Sequence, residues 1–264
     1  MKYFYLISFW LLVSLSVSAQ IQYIAHRGAS YYAPENSLAA IKLAWELGSN
    51  GAECDVRLTK DNQIVLCHDG NTERLADKNL EIAKSTYSDL QKLTLKLQKN
   101  NSAWFEGQKI PLLKDVLKVM RKDQLLVIEI KCGKEIIPEL QKVIKKYRKT
   151  GNIAFIGFGF ETICATKSAF PNVPCYYLSS SKVDLIKRIP DIQKDKLDGV
   201  DLSSGSIDRQ LVDQLRKAKL DIWCWTVDAL TEANRMKELG VNVITTNRPT
   251  WLKEQMAVQS SPIN

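Results

Sequence analysis

His26 and His68 are the only two histidines among 264 residues, and each closes a short, apolar, strand-like run. Histidine titrates nearer neutrality than any other side chain, so two of them at one place can take a proton from one oxygen and return one to another. Glu53 and Asp55 stand two apart in a strand pattern, as do Glu129 and Lys131. Alternate residues of a strand share a face, so each pair projects together. Charge on an inward face must be paired or must hold a metal. Three carboxylates beside one lysine form a hard-oxygen site suited to one divalent cation, Ca2+ or Mg2+. Zinc is disfavoured, because Cys54 and Cys132 alternate with these residues and should face the other way. The competing structural reading is a plain ion-pair network at a sheet rim. Arg27, a planar fork, and Lys131, a point charge, would suit the oxygens of an anionic phosphate. Trp225 points the same way as Trp223 and offers either a flat carbon surface to a substrate or one more core aromatic.

These residues need a scaffold that gathers them. From Gln22 onward the chain alternates apolar or β-branched runs with helical patterns, the order of a parallel sheet wrapped by helices. The strand-like runs cover 22–26, 51–57, 63–68, 125–131, 153–158, 174–178, 199–202, 221–227 and 241–245. Only 59–62 separates the second run from the third, whereas a parallel crossover needs a dozen or more residues. The third run must therefore return as a hairpin. Helical patterns at 36–47, 112–121, 135–147, 161–169, 184–189, 208–217 and 230–239 fill the other gaps. Eight parallel strands remain, which predicts an α/β fold of the (β/α)8 TIM-barrel type with its chemistry at the carboxyl ends of the strands. The stretch 70–109 carries Tyr87, Leu90, Leu93, Leu95, Leu97 and Trp104 and reads as a small cap inserted after the third run.

The ends and the cysteines set the compartment. Met1-Lys2, an apolar run over 3–17 and Val17-Ser18-Ala19 before Gln20 make residues 1–19 a secretory signal peptide. The expectation is an exported protein, periplasmic or extracellular, with no stable membrane span after cleavage; the run falls short of the ~20 apolar residues a spanning helix needs. The barrel should then occupy 20–252, with a carboxyl-terminal tail over 253–264 that can fray. Six cysteines show neither a CxxC pair nor a metal-finger spacing. Cys54, Cys67, Cys132 and Cys224 each neighbour a candidate site residue and should face the helix layer as buried thiols, with a Cys54 to Cys67 bridge as the alternative. Thirty-seven Lys and Arg exceed 29 Asp and Glu, but the excess lies largely in amphipathic helices as a solvated face, and no nucleic-acid partner is expected.

Taken in order, His26-Arg27-Gly28, Pro34-Glu35-Asn36-Ser37, Glu53-Cys54-Asp55-Val56, Val65-Leu66-Cys67-His68-Asp69, Glu129-Ile130-Lys131, Trp225-Thr226-Val227 and Thr246-Asn247-Arg248-Pro249 resemble the motifs of the glycerophosphodiester phosphodiesterase family. The likeness runs from Ile24 to Pro249. It implies a TIM barrel with an insertion after His68-Asp69, a divalent metal, and hydrolysis of a small glycerophosphodiester to glycerol phosphate and an alcohol. By the same resemblance His26 and His68 are the acid/base pair and Glu53, Asp55 and Glu129 the metal ligands. Arg27 and Lys131 correspond to phosphate contacts, with Asn36 a polar neighbour of the substrate. Ser37, Asn247 and Gly157 depart from the family, which often carries Thr, Asp and Ser there. Two other readings stay open: a lysophospholipase D, which needs an apolar groove for an acyl chain, and a noncatalytic binder of phosphorylated headgroups.

Overall fold

A computed structural model describes residues 21–147 and 152–260; the segment 1–19 read as a signal peptide lies outside the described residues. Nine strands form in chain order: β1 Gln22–Ala25, β2 Gly51–Leu58, β3 Ile64–Leu66, β4 Leu125–Ile130, β5 Asn152–Gly157, β6 Cys175–Ser179, β7 Gly199–Ser203, β8 Asp221–Trp225 and β9 Val243–Thr246. Eight are parallel neighbours in the order β1-β9-β8-β7-β6-β5-β4-β2, and a β1 to β2 pairing closes the ring. β3 runs antiparallel to β2, with Val56 opposite Leu66 and Leu58 opposite Ile64, as the four-residue spacing requires. The fold is the (β/α)8 barrel that the alternation of strands and helices predicts.

Each strand alternates its side chains between two apolar regions. Inside the ring lie Ile24, Val127, Ala154, Ile156, Tyr176, Leu178, Trp223 and Val243, with the Tyr176 and Trp223 rings stacked 4.1 Å apart. Outside it, Cys54, Val56, Ile128, Phe155, Val200 and Cys224 pack against the helix layer. The helix predicted at 184–189 is longer, Lys182–Lys194, and contains Pro190. Proline forfeits one intrahelical hydrogen bond, but Leu185 and Ile192, seven apart on one face, are both buried and hold the helix on. The final helix, Pro249–Ser260, extends through most of the stretch read as a tail, anchored by buried Leu252 and Met256.

The insertion carries a second, smaller core of Val65, Cys67, Leu75, Ala76, Ile82, Leu90, Leu93, Leu95, Ile110 and Leu112. Cys67 therefore faces this core and not the helix layer, because β3 lies outside the ring and its neighbour is the insertion. Trp104, grouped with the apolar residues of the cap, is instead 88% exposed. All six cysteines are free thiols, so no Cys54 to Cys67 bridge forms.

Candidate active site

The chain leaves β1 through His26 into a tight left-handed turn, Arg27 at φ 57° and Gly28 at φ 77°. Gly28 is required there, since a Cβ would lie 2.5 Å from the Ala40 carbonyl carbon. The turn swings the Arg27 N–H onto Glu53 Oε2 at 2.7 Å and the Gly28 N–H onto the Glu53 carbonyl at 3.0 Å, fixing one rim residue on another. The Arg27 guanidinium donates to Glu35 Oε1 at 2.8 Å and lies 3.4 Å from Asp55 Oδ2. Glu35 also accepts from Arg74 and Gln98 of the insertion, each at 2.8 Å, and these partners bring its carboxyl down to about 2. Asn36, expected beside the substrate, is 1% exposed and spends its whole amide on Asp55: Nδ2 donates to Oδ2 at 2.8 Å and Oδ1 accepts from the Asp55 N–H at 3.0 Å. It positions an acid instead of facing the cavity.

Glu53, Asp55 and Glu129 offer one oxygen each within 4.8 Å of one another. Strand alternation puts the first two on one face of β2, and the ladder sets Asp55 beside Glu129 of β4. Burial and mutual repulsion push Glu53 well above the usual carboxylate range and Glu129 up to about 7. Glu53 Oε1 and Asp55 Oδ1 are buried and make no hydrogen bond. Orphaned carboxylate oxygens converging at this distance fit a hard divalent cation, and the three acids are the residues that would hold it. Lys131 sits against them, 2.8 Å from Glu129 Oε1 and 3.8 Å from Asp55 Oδ1.

Both histidines reach this rim. Asn247 Nδ2 donates to Asp228 Oδ2 at 2.5 Å, and because a carboxylate only accepts, the amide must turn its Oδ1 toward His26. His26 Nδ1 therefore carries the proton it donates across 2.9 Å, which leaves Nε2 with a lone pair. Burial, then the Arg27 charge, lowers the His26 pKa, which favours the neutral ring. The asparagine that departs from the family pattern thus still orients the imidazole, with Asp228 supplying the carboxylate one step behind. His68 Nδ1 bonds Asp69 Oδ1 at 2.7 Å and its Nε2 lies 3.1 Å from Lys131 Nζ. Arg57, at the end of β2, donates to the His68 carbonyl at 2.8 and 3.0 Å and to the Lys131 carbonyl at 3.1 Å.

A cavity of about 120 Å³ is bounded by His26, Arg27, Glu53, His68, Glu129, Lys131 and Trp225, so the residues singled out on four separate strands and a hairpin share one space. Trp225 stands at its edge, packed edge-on against Phe158 at 5.5 Å. An open cleft of about 630 Å³ adjoins it through His26 and Arg27 and is lined by Tyr31, Gln98, Lys99, Asn100, Asn101 and Arg248. Sequence reasoning missed Asp228, Asp201 and Arg57 and gave Glu35 no role. Asp228 and Arg57 act on other residues rather than on the cavity, and only the two-apart rule could have flagged Arg57, which follows Glu53 and Asp55 on the same face of β2.

Ring closure, helix wrapping and a charged site at the carboxyl ends of the strands define a TIM-barrel enzyme. The chain belongs to the glycerophosphoryl diester phosphodiesterase family, whose profile matches residues 26–250. It is 31% identical over 236 residues to a glycerophosphodiester phosphodiesterase of Caldanaerobacter subterraneus, covering 87% of this chain and 95% of that one. Among solved structures it resembles an Oleispira antarctica phosphodiesterase in complex with the product sn-glycerol-3-phosphate, with a TM-score of 0.81, 24% identity, and 90% and 97% of the two chains covered. A glycerophosphodiester phosphodiesterase from Parabacteroides distasonis superposes with a TM-score of 0.77 at 23% identity, over 92% of this chain and all of that one.

Proposed function

We propose that this protein hydrolyses glycerophosphodiesters to glycerol phosphate and an alcohol, with His26 and His68 as the acid/base pair and Glu53, Asp55 and Glu129 holding one divalent cation, Ca2+ or Mg2+. The observation that carries this reading is the convergence of both imidazoles, Glu53, Glu129 and two cationic side chains on one cavity, with Asp55 buried behind them and within 4.8 Å of both acids. Arg27 and Lys131 are the groups to bind the nonbridging phosphate oxygens, held in place by Glu35 and Glu129. His26 and His68 flank that position, one to accept the proton of the attacking oxygen and the other to return one to the leaving alcohol. A bound divalent cation would neutralise the three acids and polarise the phosphate. The adjoining cleft is lined by polar and charged side chains and Tyr31, and neither of the insertion's exposed apolar residues, Leu97 and Trp104, lines it, which favours a water-soluble headgroup over the acyl chain of a lysophospholipid. The residue pattern of 1–19 supports export to the periplasm or beyond; sequencing the amino terminus of secreted protein tests that separately.

The deciding experiment is a release assay over a panel of glycerophosphodiesters and lysophosphatidylcholine, with chelator and with each metal restored. Glycerol phosphate should appear only with metal, and His26→Ala and His68→Ala should each lower kcat by about 10²- to 10⁴-fold while the fold is kept. Folded histidine variants with full activity would remove the scheme; ligand binding without turnover by the wild type would establish the noncatalytic reading.

A further inference from the structure

One acid in the barrel interior belongs neither to the cation-binding trio nor to the proton-transfer pair. Asp201 lies on β7, in register with Leu178 of β6 and Trp223 of β8, whose side chains both point into the ring. It is 1% exposed, and its Oδ1 makes no hydrogen bond. Around the closed ring β7 is the fourth strand from β2 in either direction, so Asp201 faces the acidic trio from the opposite wall. Both walls bound the same 120 Å³ cavity, and the carbon surfaces of Ile156, Leu178 and Trp225 lie between them.

A buried polar atom left without a partner opposes folding, and apolar neighbours cannot offset that. A ligand in the cavity can. The cavity has room for a small polyol, while the wider polar cleft beyond His26 and Arg27 has room for the other half of a diester. Phosphate held at Arg27, between the two spaces, directs the glycerol half inward. Trp225 strengthens the placement: its Nε1 donates to the Asp201 carbonyl at 3.2 Å, which holds the aromatic edge and the acid in one arrangement.

We propose that the Asp201 carboxyl group hydrogen-bonds a free hydroxyl of the glycerol moiety and so makes the enzyme select glycerol-bearing phosphodiesters over diesters that lack those hydroxyls. A hydroxyl both donates and accepts, so the pairing holds for either ionisation state of the acid. The inference rests on the proposed function for the presence of a glycerophosphodiester in the cavity.

The test compares kcat/KM for glycerophosphoethanolamine and bis(4-nitrophenyl) phosphate in the wild type, Asp201→Ala and Asp201→Asn, on the metal-loaded protein. Asp201→Ala should lose about 10- to 100-fold on the glycerol substrate, the worth of one such hydrogen bond, and stay within about threefold on the aryl diester. Asp201→Asn, which keeps an acceptor oxygen, should recover most of the loss. An equal fall on both substrates, or no fall on the first, overturns the assignment. So does a weakened Ca2+ affinity of Asp201→Ala by calorimetry, which would make the residue a cation ligand. A wild type that cleaves neither diester refutes the proposed function instead. The selectivity is then read as binding of glycerol 3-phosphate against ethyl phosphate, where Asp201→Ala must abolish the preference or the inference fails.

Discussion

β2 and β8 use the same alternation to opposite ends. β2 turns Glu53 and Asp55 inward, each 1% exposed, while β8 turns Trp223, 7% exposed, and the partly buried Trp225 inward. The tryptophan wall removes carbon from water and stacks on Tyr176, so it favours folding. The acidic wall buries like charges that raise one another's pKa and leaves oxygens without hydrogen bonds, so it opposes folding. Identical strand geometry therefore carries stability on one side and chemistry on the other, and the two should separate under mutation.

The largest separation is expected at Trp223→Ala, which should cost about 3–5 kcal/mol in a denaturant titration while the folded fraction keeps most of its turnover. A variant that stays stable but loses activity would show that the carbon wall is also catalytic. At Glu53→Gln the order should reverse. Turnover should fall on the order of a hundredfold, and the unfolding midpoint should hold or rise because a repulsive buried charge is gone. A midpoint well below wild type would mean that the acidic wall supports the fold after all.

Glu35 sharpens the comparison, because it is a buried acid that is fully paired. Its carboxyl sits at about 2 in the folded protein against an ordinary value of 4.5. A depressed folded pKa contributes stability above the unfolded value and loses it as pH falls toward the folded one. Glu35→Gln should therefore cost about 2 kcal/mol at pH 7, after discounting for the solvent-facing Arg74, and progressively less from pH 4.5 down to 2. Unfolding midpoints that differ by the same amount at pH 7 and pH 2.5 would show that shape, and not charge, is what Glu35 provides.

The barrel was legible because one spacing is incompatible with a parallel crossover, which forced β3 out of the ring and left eight strands. The site was legible where residues two apart on a strand shared an inward face, as with Glu53 and Asp55 or Glu129 and Lys131. Asp201 escaped that rule, since a lone acid inside Gly199–Ser203 has no charged partner two positions away. The His26 relay escaped because Asp228 meets Asn247 only when β8 pairs with β9, and His26 meets Asn247 only when β1 pairs with β9. Pro190 shows the limit of local propensity, where the burial of Leu185 and Ile192 outweighs one missing hydrogen bond. Cys67 was assigned the wrong neighbour because the core formed by the insertion has no periodic signature.

Arg57 has a consequence for how the pocket responds to thermal motion. One guanidinium grips the carbonyls behind both His68 and Lys131, which otherwise belong to the hairpin arm and to β4. The backbone that carries the imidazole and the backbone that carries the ammonium are thus tied to one planar group. Their 3.1 Å separation is therefore braced from behind, as two pegs are by one crossbar.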